Sequence, residues 1–446
     1  MTRSGACTVL ILFLLLNTTP IFGRDLTVSP NGYRGKIKSL RPGDRCFLSS
    51  GTYKKGLCLD GLKGTPDKPI LIQGPQRGAP ALFEARSGFN TIELYGTAYV
   101  TVRNIEVDGK NIPGAFGARA RDKAHDITIE NCTFRNHSAD QSHVVISTST
   151  CTTWNWVIRG NKIINAGTGM YLGHPEGKNP FINGTVEYNL FSNTIGYNIQ
   201  IKHQKSRPSP PGVPAKARTI IRHNVFSKQR IPGGKSSGNR PNLLVGHFPP
   251  SGTGTDDLYL IYGNFFFENC SGEAVFQGEG NIAFYSNIIY NSAGPGVRIQ
   301  PHQDVPRMVR VFYNTVVAKE QGISIKSGKR GFKQKAFGNA VFASSPLRAP
   351  VSENNFTGSF ADASRYLVTP SGIPGQMDLS PRSRKLSGTP AAAAEISRFP
   401  DANLDFDGRP RKGIYRGAYE GAGIERGWKL QLARKPYKDR FEAALE

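Results

Sequence analysis

The sequence predicts an all-β chain wound as a single-stranded parallel β-helix, a solenoid in which each coil stacks on the last. Three observations carry that expectation. A short phrase of alternating β-branched or aromatic residues, closed by asparagine, returns nine times at about 29-residue intervals. Glycine supplies 50 of the 446 residues against a conventional apolar share of only 38%, so the missing apolar material has gone into turns, not into disorder. With 25 phenylalanines and 16 tyrosines, a sheet has enough bulk for a core.

The repeats run Val100 to Asn104, Ile127 to Asn131, Trp156 to Asn161, Gly184 to Asn189, Thr219 to Asn224, Leu260 to Asn264, Ile282 to Asn287, Val309 to Asn314 and Lys335 to Asn339. Each alternates with period two, as a strand with one inward and one outward face requires. Three short strands and three turns fit one such interval. A propeller blade would need longer, four-stranded antiparallel units, and leucine-rich repeats would need their leucine ladder. Asparagines at one bend of successive coils can pass side-chain hydrogen bonds along the axis, so these are read as structural.

At the N-terminus Arg3 precedes an apolar run from Val9 to Leu16, too short to span a bilayer and shaped like an export signal over residues 1–23. No later segment is apolar for long enough to cross a membrane, so a secreted, periplasmic or cell-surface monomer is expected. Cys7 would leave with the signal. Of the five remaining cysteines, Cys46–Cys58 and Cys132–Cys151 are the local pairings to consider, with buried free thiols the alternative. The formal charge of +24 calls for an anionic partner. Export argues against nucleic acid and favours an acidic polysaccharide.

Residues 24–65 are expected to cap the solenoid, 66–345 to form it, and 346–446 to be an irregular segment with a basic tail, its last stretch from Arg426 a basic amphipathic helix. The Pro/Gly-rich insertions 205–218 and 228–241 are placed to wall a groove.

Residues 25–110 contain Leu40 to Asp44, Ser50 to Tyr53, Pro69 to Gly74 and Tyr99 to Gly109, and Asp405 to Pro410 is followed by Gly417 to Glu420. These segments resemble the opening and closing of secreted right-handed parallel β-helix proteins of the pectate-lyase-like superfamily, nearest in style to alginate-lyase and chondroitinase-B type polysaccharide lyases. The resemblance implies a right-handed solenoid and, as an expectation, cleavage of a uronate-containing polysaccharide by β-elimination. Asn198 to His203 is similar to the strand that carries a lysine in those enzymes, which implies Lys202 as the base.

Successive second strands align by their inward pairs, Val144/Ile146, Met170/Leu172, Ile199/Ile201, Leu243/Val245, Val275/Gln277, Val297/Ile299 and Ile323/Ile325. That alignment puts His174, His203 and His247 in one column, with Thr148 before them and Glu279 after. One place earlier stand Ser147, Gly173, Lys202, Gly246, Gly278, Gln300 and Lys326, while Tyr171, Gln200 and Arg298 point outward and His302 lies close by. Glycines at 173, 246 and 278 would keep the floor low. The column could be a turn ladder or solvated surface, but stacked imidazoles depress one another's pKa, which structure alone rarely needs.

Elimination needs a base and a cation to neutralise the uronate carboxylate. Lys202 is assigned as base, Arg298 as carboxylate partner, and His203 or His247 as acid or second base. His174, Tyr171, Gln200, Glu279, His302 and Lys326 are assigned to substrate binding. A histidine-bound metal is not expected, because residues in a line do not make a tetrahedron. Calcium stays open as a cofactor, although Asp256, Asp257, Glu273 and Glu279 are scattered. A hydrolase would need paired carboxylates. A C5-epimerase would look much like a lyase, and a non-catalytic wall-binding protein would need only charge and a groove.

Overall fold

The computed structural model describes residues 23–232, 239–389, 393–421 and 427–437. The expected export signal, part of the 228–241 insertion and the end of the tail lie outside them. The chain visits three sheets in turn. The first has 15 strands, from Asp25–Val28 to Val351–Glu353; the second has 12, from Gly51–Tyr53 to Phe356–Gly358; the third has 11, from Leu57–Cys58 to Ser345–Arg348. Every pairing between coils is parallel, and among the described residues the one antiparallel ladder joins Leu367–Thr369 to Asp378–Pro381 in the C-terminal segment. The architecture is a single-stranded right-handed parallel β-helix.

From Asn104 onward each coil turns from the first sheet to the second through one residue in the left-handed region. Asn104, Asn131, Gly160, Tyr188, His223, Gly263, Ser286, Tyr313, Gly338 and Asn354 hold this place with φ between 47° and 63°. From the third of these coils onward the next residue is a ladder asparagine: Asn161, Asn189, Asn224, Asn264, Asn287, Asn314, Asn339 and Asn355. Asn264 shows the pattern. Its Oδ1 accepts from the backbone N–H (2.9 Å) and Nδ2 (3.0 Å) of Asn224, while its own Nδ2 donates to Asn287 Oδ1 (3.0 Å) and to the Ile221 carbonyl (2.9 Å). All the donors of a fully buried amide are therefore matched. Asn104 and Asn131 do not belong to the ladder; they occupy the left-handed position before it, and the backbone N–H of Cys132 makes the last rung by donating to Asn161 Oδ1 at 2.9 Å.

On the outer side of the same bend, opposite charges alternate up the stack. Gln73, Arg103, Glu130, Arg159, Glu187 and Arg222 share one register position. Arg159 Nε donates to Glu130 (2.8 Å) and Arg222 Nε to Glu187 (2.7 Å). The row then becomes aromatic, with Tyr262, Tyr285, Phe312 and Phe337 stacked at 4.7–4.9 Å.

At the N-terminal end a short helix α1 (Tyr33–Lys38) turns Tyr33 and Ile37 into the first coil, where Tyr33 meets Tyr53 edge-on at 4.9 Å. The C-terminal segment lies along the outside. Phe399 and Ala402 cover the aromatic row of the first sheet. Leu367, Leu379, Phe406, Tyr419 and Leu430 cover the outer face of the second. Its cations point inward: the Arg411 guanidinium lies 4.3 Å from the Tyr313 ring centre, Arg434 donates to the Asn131 side chain and Gly160 carbonyl, and Lys435 donates to the Phe406 carbonyl (3.0 Å). Residues 427–437 form no helix, contrary to expectation, because Trp428 and Leu430 are spent on the second sheet and not on an amphipathic stripe of their own.

The five cysteines described are free thiols, Cys46, Cys132 and Cys151 buried, Cys58 half-buried and Cys270 exposed. No described helix is long and apolar enough to cross a membrane.

Asn264→Ala would strand the Asn224 N–H and Nδ2 and the Ile221 carbonyl inside the core. The expected loss is about 3 kcal/mol or more, read as a lower urea midpoint at unchanged slope. Unaltered stability would show that the ladder does not carry the bend.

Candidate functional site

With two faces covered, the outward face of the third sheet is the one left to solvent along the middle coils. One of its outward rows reads Glu93, Arg119, Ser147, Tyr171, Gln200, Leu244, Gln277, Arg298, Ser324. Ile201 pairs with both Leu172 and Val245, and Val245 with Gly278. The adjacent row one residue on is therefore Gly173, Lys202, Gly246, Glu279 and Gln300. Neighbours within a row are about 4.8 Å apart.

Two registers differ from the sequence alignment. Phe276 and Gly278, not Val275 and Gln277, are the inward pair, which moves Glu279 out of the histidine column and into the lysine row. Val275 and Phe276 are both fully buried, so apolarity could not choose between them. Gly278 accordingly faces the core, where a Cβ would meet Ile282 at 2.7 Å. Ile146, not Val144, pairs with Met170, so Ser147 joins Tyr171 and Gln200, and Thr148 instead accepts a hydrogen bond from the Gly173 N–H at 2.9 Å. Gly246 does keep the floor low: a Cβ there would lie 2.4 Å from the His203 nitrogen.

His174, His203 and His247 share a column, but their rings do not form one stack. His203 and His247 are buried side by side, ring centres 5.2 Å apart. His247 Nδ1 is hydrogen-bonded to the Phe248 carbonyl at 2.7 Å, so that nitrogen is the one that donates. The turn after His174 folds over His203, with Gly177 so close that a Cβ would sit 2.8 Å from the ring. His174 itself accepts from the Glu176 N–H through Nδ1 (3.1 Å) and faces a different hollow.

Two adjoining hollows make the groove, and Gln200 lines both. The smaller, about 30 Å³, has Lys202, His203, Gln277, Glu279, Gln300 and His302 on its walls, room for about one water. The larger, about 720 Å³, runs from Phe116 and Asp140 past Ser147, Tyr171 and Tyr197 to His174. Asp140 and Tyr197 went unnoticed in the sequence because they precede the strands and belong to no alternating phrase. The 205–218 insertion lines neither hollow: Val213 packs against Trp154 and Ile182, and Arg207 is ion-paired with the buried Asp257.

Burial lowers the Lys202 pKa, opposed by Glu279, and its ammonium lies 5.8 Å from the Tyr171 ring centre. Burial, then His247 and Lys202, pushes His203 down to about 4. Burial also raises the Tyr171 phenol. Glu279 is already engaged, accepting from the backbone N–H groups of His247 (3.3 Å), His302 (2.9 Å), Gln303 (2.7 Å) and Asp304 (3.0 Å).

Arg298 stands beside Gln277 but outside the small hollow, tied to Glu273 at 2.7 Å. Lys326 continues the lysine row one coil past Gln300. Of the acids considered for calcium, Asp257 holds Arg207, Glu273 holds Arg298 and Glu279 holds backbone, so this donor set does not fit the ion. Among the described residues no three His, Cys, Asp or Glu side chains converge as metal ligands.

No family model and no curated protein matches the chain. Solved structures do share its fold. XylC, solved in complex with xylose, is similar with a TM-score of 0.50 at 10% identity, over 91% of this chain and 100% of its own. An alginate lyase from Paenibacillus sp. str. FPU-7 is similar over 75% of this chain and 98% of its own, with a TM-score of 0.42 and 16% identity. Pectate lyase Pel9A is similar over 93% and 97%, with a TM-score of 0.41 and 13% identity. Identities this low speak to fold and not to chemistry. The shared feature is the fold, a right-handed parallel β-helix.

Three histidines are held neutral by burial: His137 and His203, each at about 4, and His223, well below its ordinary value. Unfolded, each titrates near 6.5. Between those limits the unfolded chain binds more protons than the fold, so stability is expected to fall as pH drops from about 6.5 towards 4. His203→Gln should make the melting temperature less sensitive to pH between 6.5 and 5. Equal slopes for variant and parent would contradict a neutral buried His203.

Proposed function

We propose that the protein is an exported lyase that cleaves a uronate-containing polysaccharide by β-elimination, with Lys202 as the base. The observation that carries this reading is an amine driven towards its neutral form by burial, on the one open face of the solenoid, beside a cleft large enough for a sugar chain. Lys202 takes the proton from C5, the C5–H electron pair forms the C4=C5 double bond, and the C4–O bond breaks. Tyr171, whose phenol burial keeps protonated, supplies a proton to the leaving oxygen. The amides of Gln200 and Gln300 and the exposed imidazole of His302 are the donors available to the uronate carboxylate.

This reading narrows the expected roles. Arg298 is replaced as carboxylate partner, since Glu273 already holds it. The buried His203 and His247 lie side by side next to Lys202, and a neutral His203 spares the amine one positive neighbour. The acidic polymer, export and a monomeric state all belong to the same proposal.

The test is incubation with alginate, polygalacturonate, chondroitin and heparin, following the ultraviolet absorbance of the unsaturated product. Lys202→Ala should lower kcat/KM by at least about 10²-fold. Lys202→Arg should be equally poor, because a guanidinium stays protonated. Parent activity should rise with pH towards the depressed pKa of Lys202. Saturated products would replace elimination by hydrolysis, and binding without turnover would make this a wall-binding protein.

A further inference from the structure

We infer that the N-terminal end of the same open face is a second binding station, which holds anionic groups of the polymer four coils away from Lys202. The inference rests on the acidic-polysaccharide reading above. A cleft of about 470 Å³ opens there, walled by Arg34, Lys55, Arg86 and Arg121 and carrying the aromatic rings of Phe89 and Tyr95. Both rings are 52% exposed, two of the four large hydrophobic side chains most open to solvent among the described residues. Isolated exposed apolar groups need no explanation, but two rings in one cationic cleft do.

The charges are available for a ligand. Arg86 lies over Phe89, its guanidinium 3.6 Å from the ring centre, and its Nε is buried without a hydrogen-bond partner. Arg121 is 46% exposed and 3.9 Å from Glu93, a loose contact that a better anion can displace. The two acids of the cleft are partly engaged, Asp60 by the Tyr95 N–H (3.1 Å) and Glu93 by the Asn90 amide.

The station is continuous with the catalytic groove. Glu93, Arg119, Ser147, Tyr171 and Gln200 follow one another in a single row, so the cleft stands about 19 Å from Gln200 along the axis. Arg119 bridges the gap: its guanidinium lies 4.8 Å from the ring centre of Phe116, which lines the larger hollow, and its Nε is also buried and unpartnered. Forked guanidinium groups fit carboxylate or sulfate, and flat rings fit the C–H faces of sugars. Arginine with aromatics also suits single-stranded nucleic acid. Beyond Tyr171, however, the row continues as Gln200, Leu244 and Gln277, two amides for hydroxyl groups around one aliphatic side chain and no ring on which a base could stack.

The test measures binding, not turnover, in the full-length Lys202→Ala protein by affinity electrophoresis and calorimetry. Alginate and polygalacturonate serve as carboxylate polymers, heparin as a sulfated one and xylan as a neutral one. Tyr95→Ala and the Arg86→Ala/Arg121→Ala pair should each raise Kd for the preferred acidic polymer about tenfold, while the affinity of a disaccharide stays unchanged. Arg365→Ala, on a 79% exposed side chain of the C-terminal segment, should change neither. Arg121→Ala alone keeps the test open should the Arg86 variant fail to fold.

Preference for carboxylate or for sulfate polymers identifies the anionic group and supports the station. Unchanged polymer affinity in folded variants overturns it, as does equal binding of xylan or equal competition by single-stranded DNA. Failure of elimination is read separately: a parent protein without unsaturated product, whose polymer binding still depends on Arg86 and Tyr95, loses the lyase reading and keeps the station.

Discussion

The bend between the first and second sheets is the constraint on which the rest of the molecule depends. From Gly160 onward each coil reverses there through one left-handed residue and then buries an amide in the core. A lone buried amide would be costly. Repetition solves this, because each asparagine supplies the acceptor that its predecessor needs and takes the acceptor of its successor. The ladder also fixes register. A slip of one residue would put a side chain unsuited to positive φ at the bend and break two rungs at once, while turning the inward faces of the strands outward.

Fixed register decides what the outside can do. Because the coils cannot slide, the outward rows of each sheet are columns of stationary side chains, and the C-terminal segment has evenly spaced features to dock on. It uses them in two ways. Phe399 and Leu430 bury the apolar outer faces of the first and second sheets, and Arg411, Arg434 and Lys435 meet carbonyls and rings along the bend. The overall charge of +24 is thus divided. Arg411, Arg434 and Lys435 are spent inside the structure, whereas Lys202, Arg119, Arg86 and Arg121 stand on the face that no described segment covers.

The solenoid was legible in the sequence because its strands repeat with period two and its asparagines with a coil's period. Asn161 to Asn339 read correctly as a ladder. Asn104 and Asn131 did not, since an asparagine suits a left-handed bend as well as a rung, and only the cysteine after Asn131 shows which of the two it fills. The lysine row and the histidine column were also visible. What was hidden was the fold of the turn over His203, which depends on the φ of +87° at Gly173 and of +75° at Gly177, and the N-terminal cleft, whose rings lie where the strand phrase is irregular.

The one-residue difference at Glu279 matters most for chemistry. Lys202 and Glu279 lie in the same row with Gly246 between them, two coil spacings apart, or about 10 Å. At that distance the carboxylate moderates the amine without pairing with it. Its oxygens, moreover, are held by the N–H groups of His247 and of residues 302–304, which keep it anchored as part of the wall. The imidazole of His203, held neutral by burial, adds no charge beside Lys202. The effect of burial on Lys202 therefore outweighs the opposing pull of Glu279. An acid free to reach the amine would have turned it into half of a salt bridge, with its proton held and no basicity to offer. Separation by a glycine and capture by backbone together keep Glu279 from forming an ion pair with Lys202.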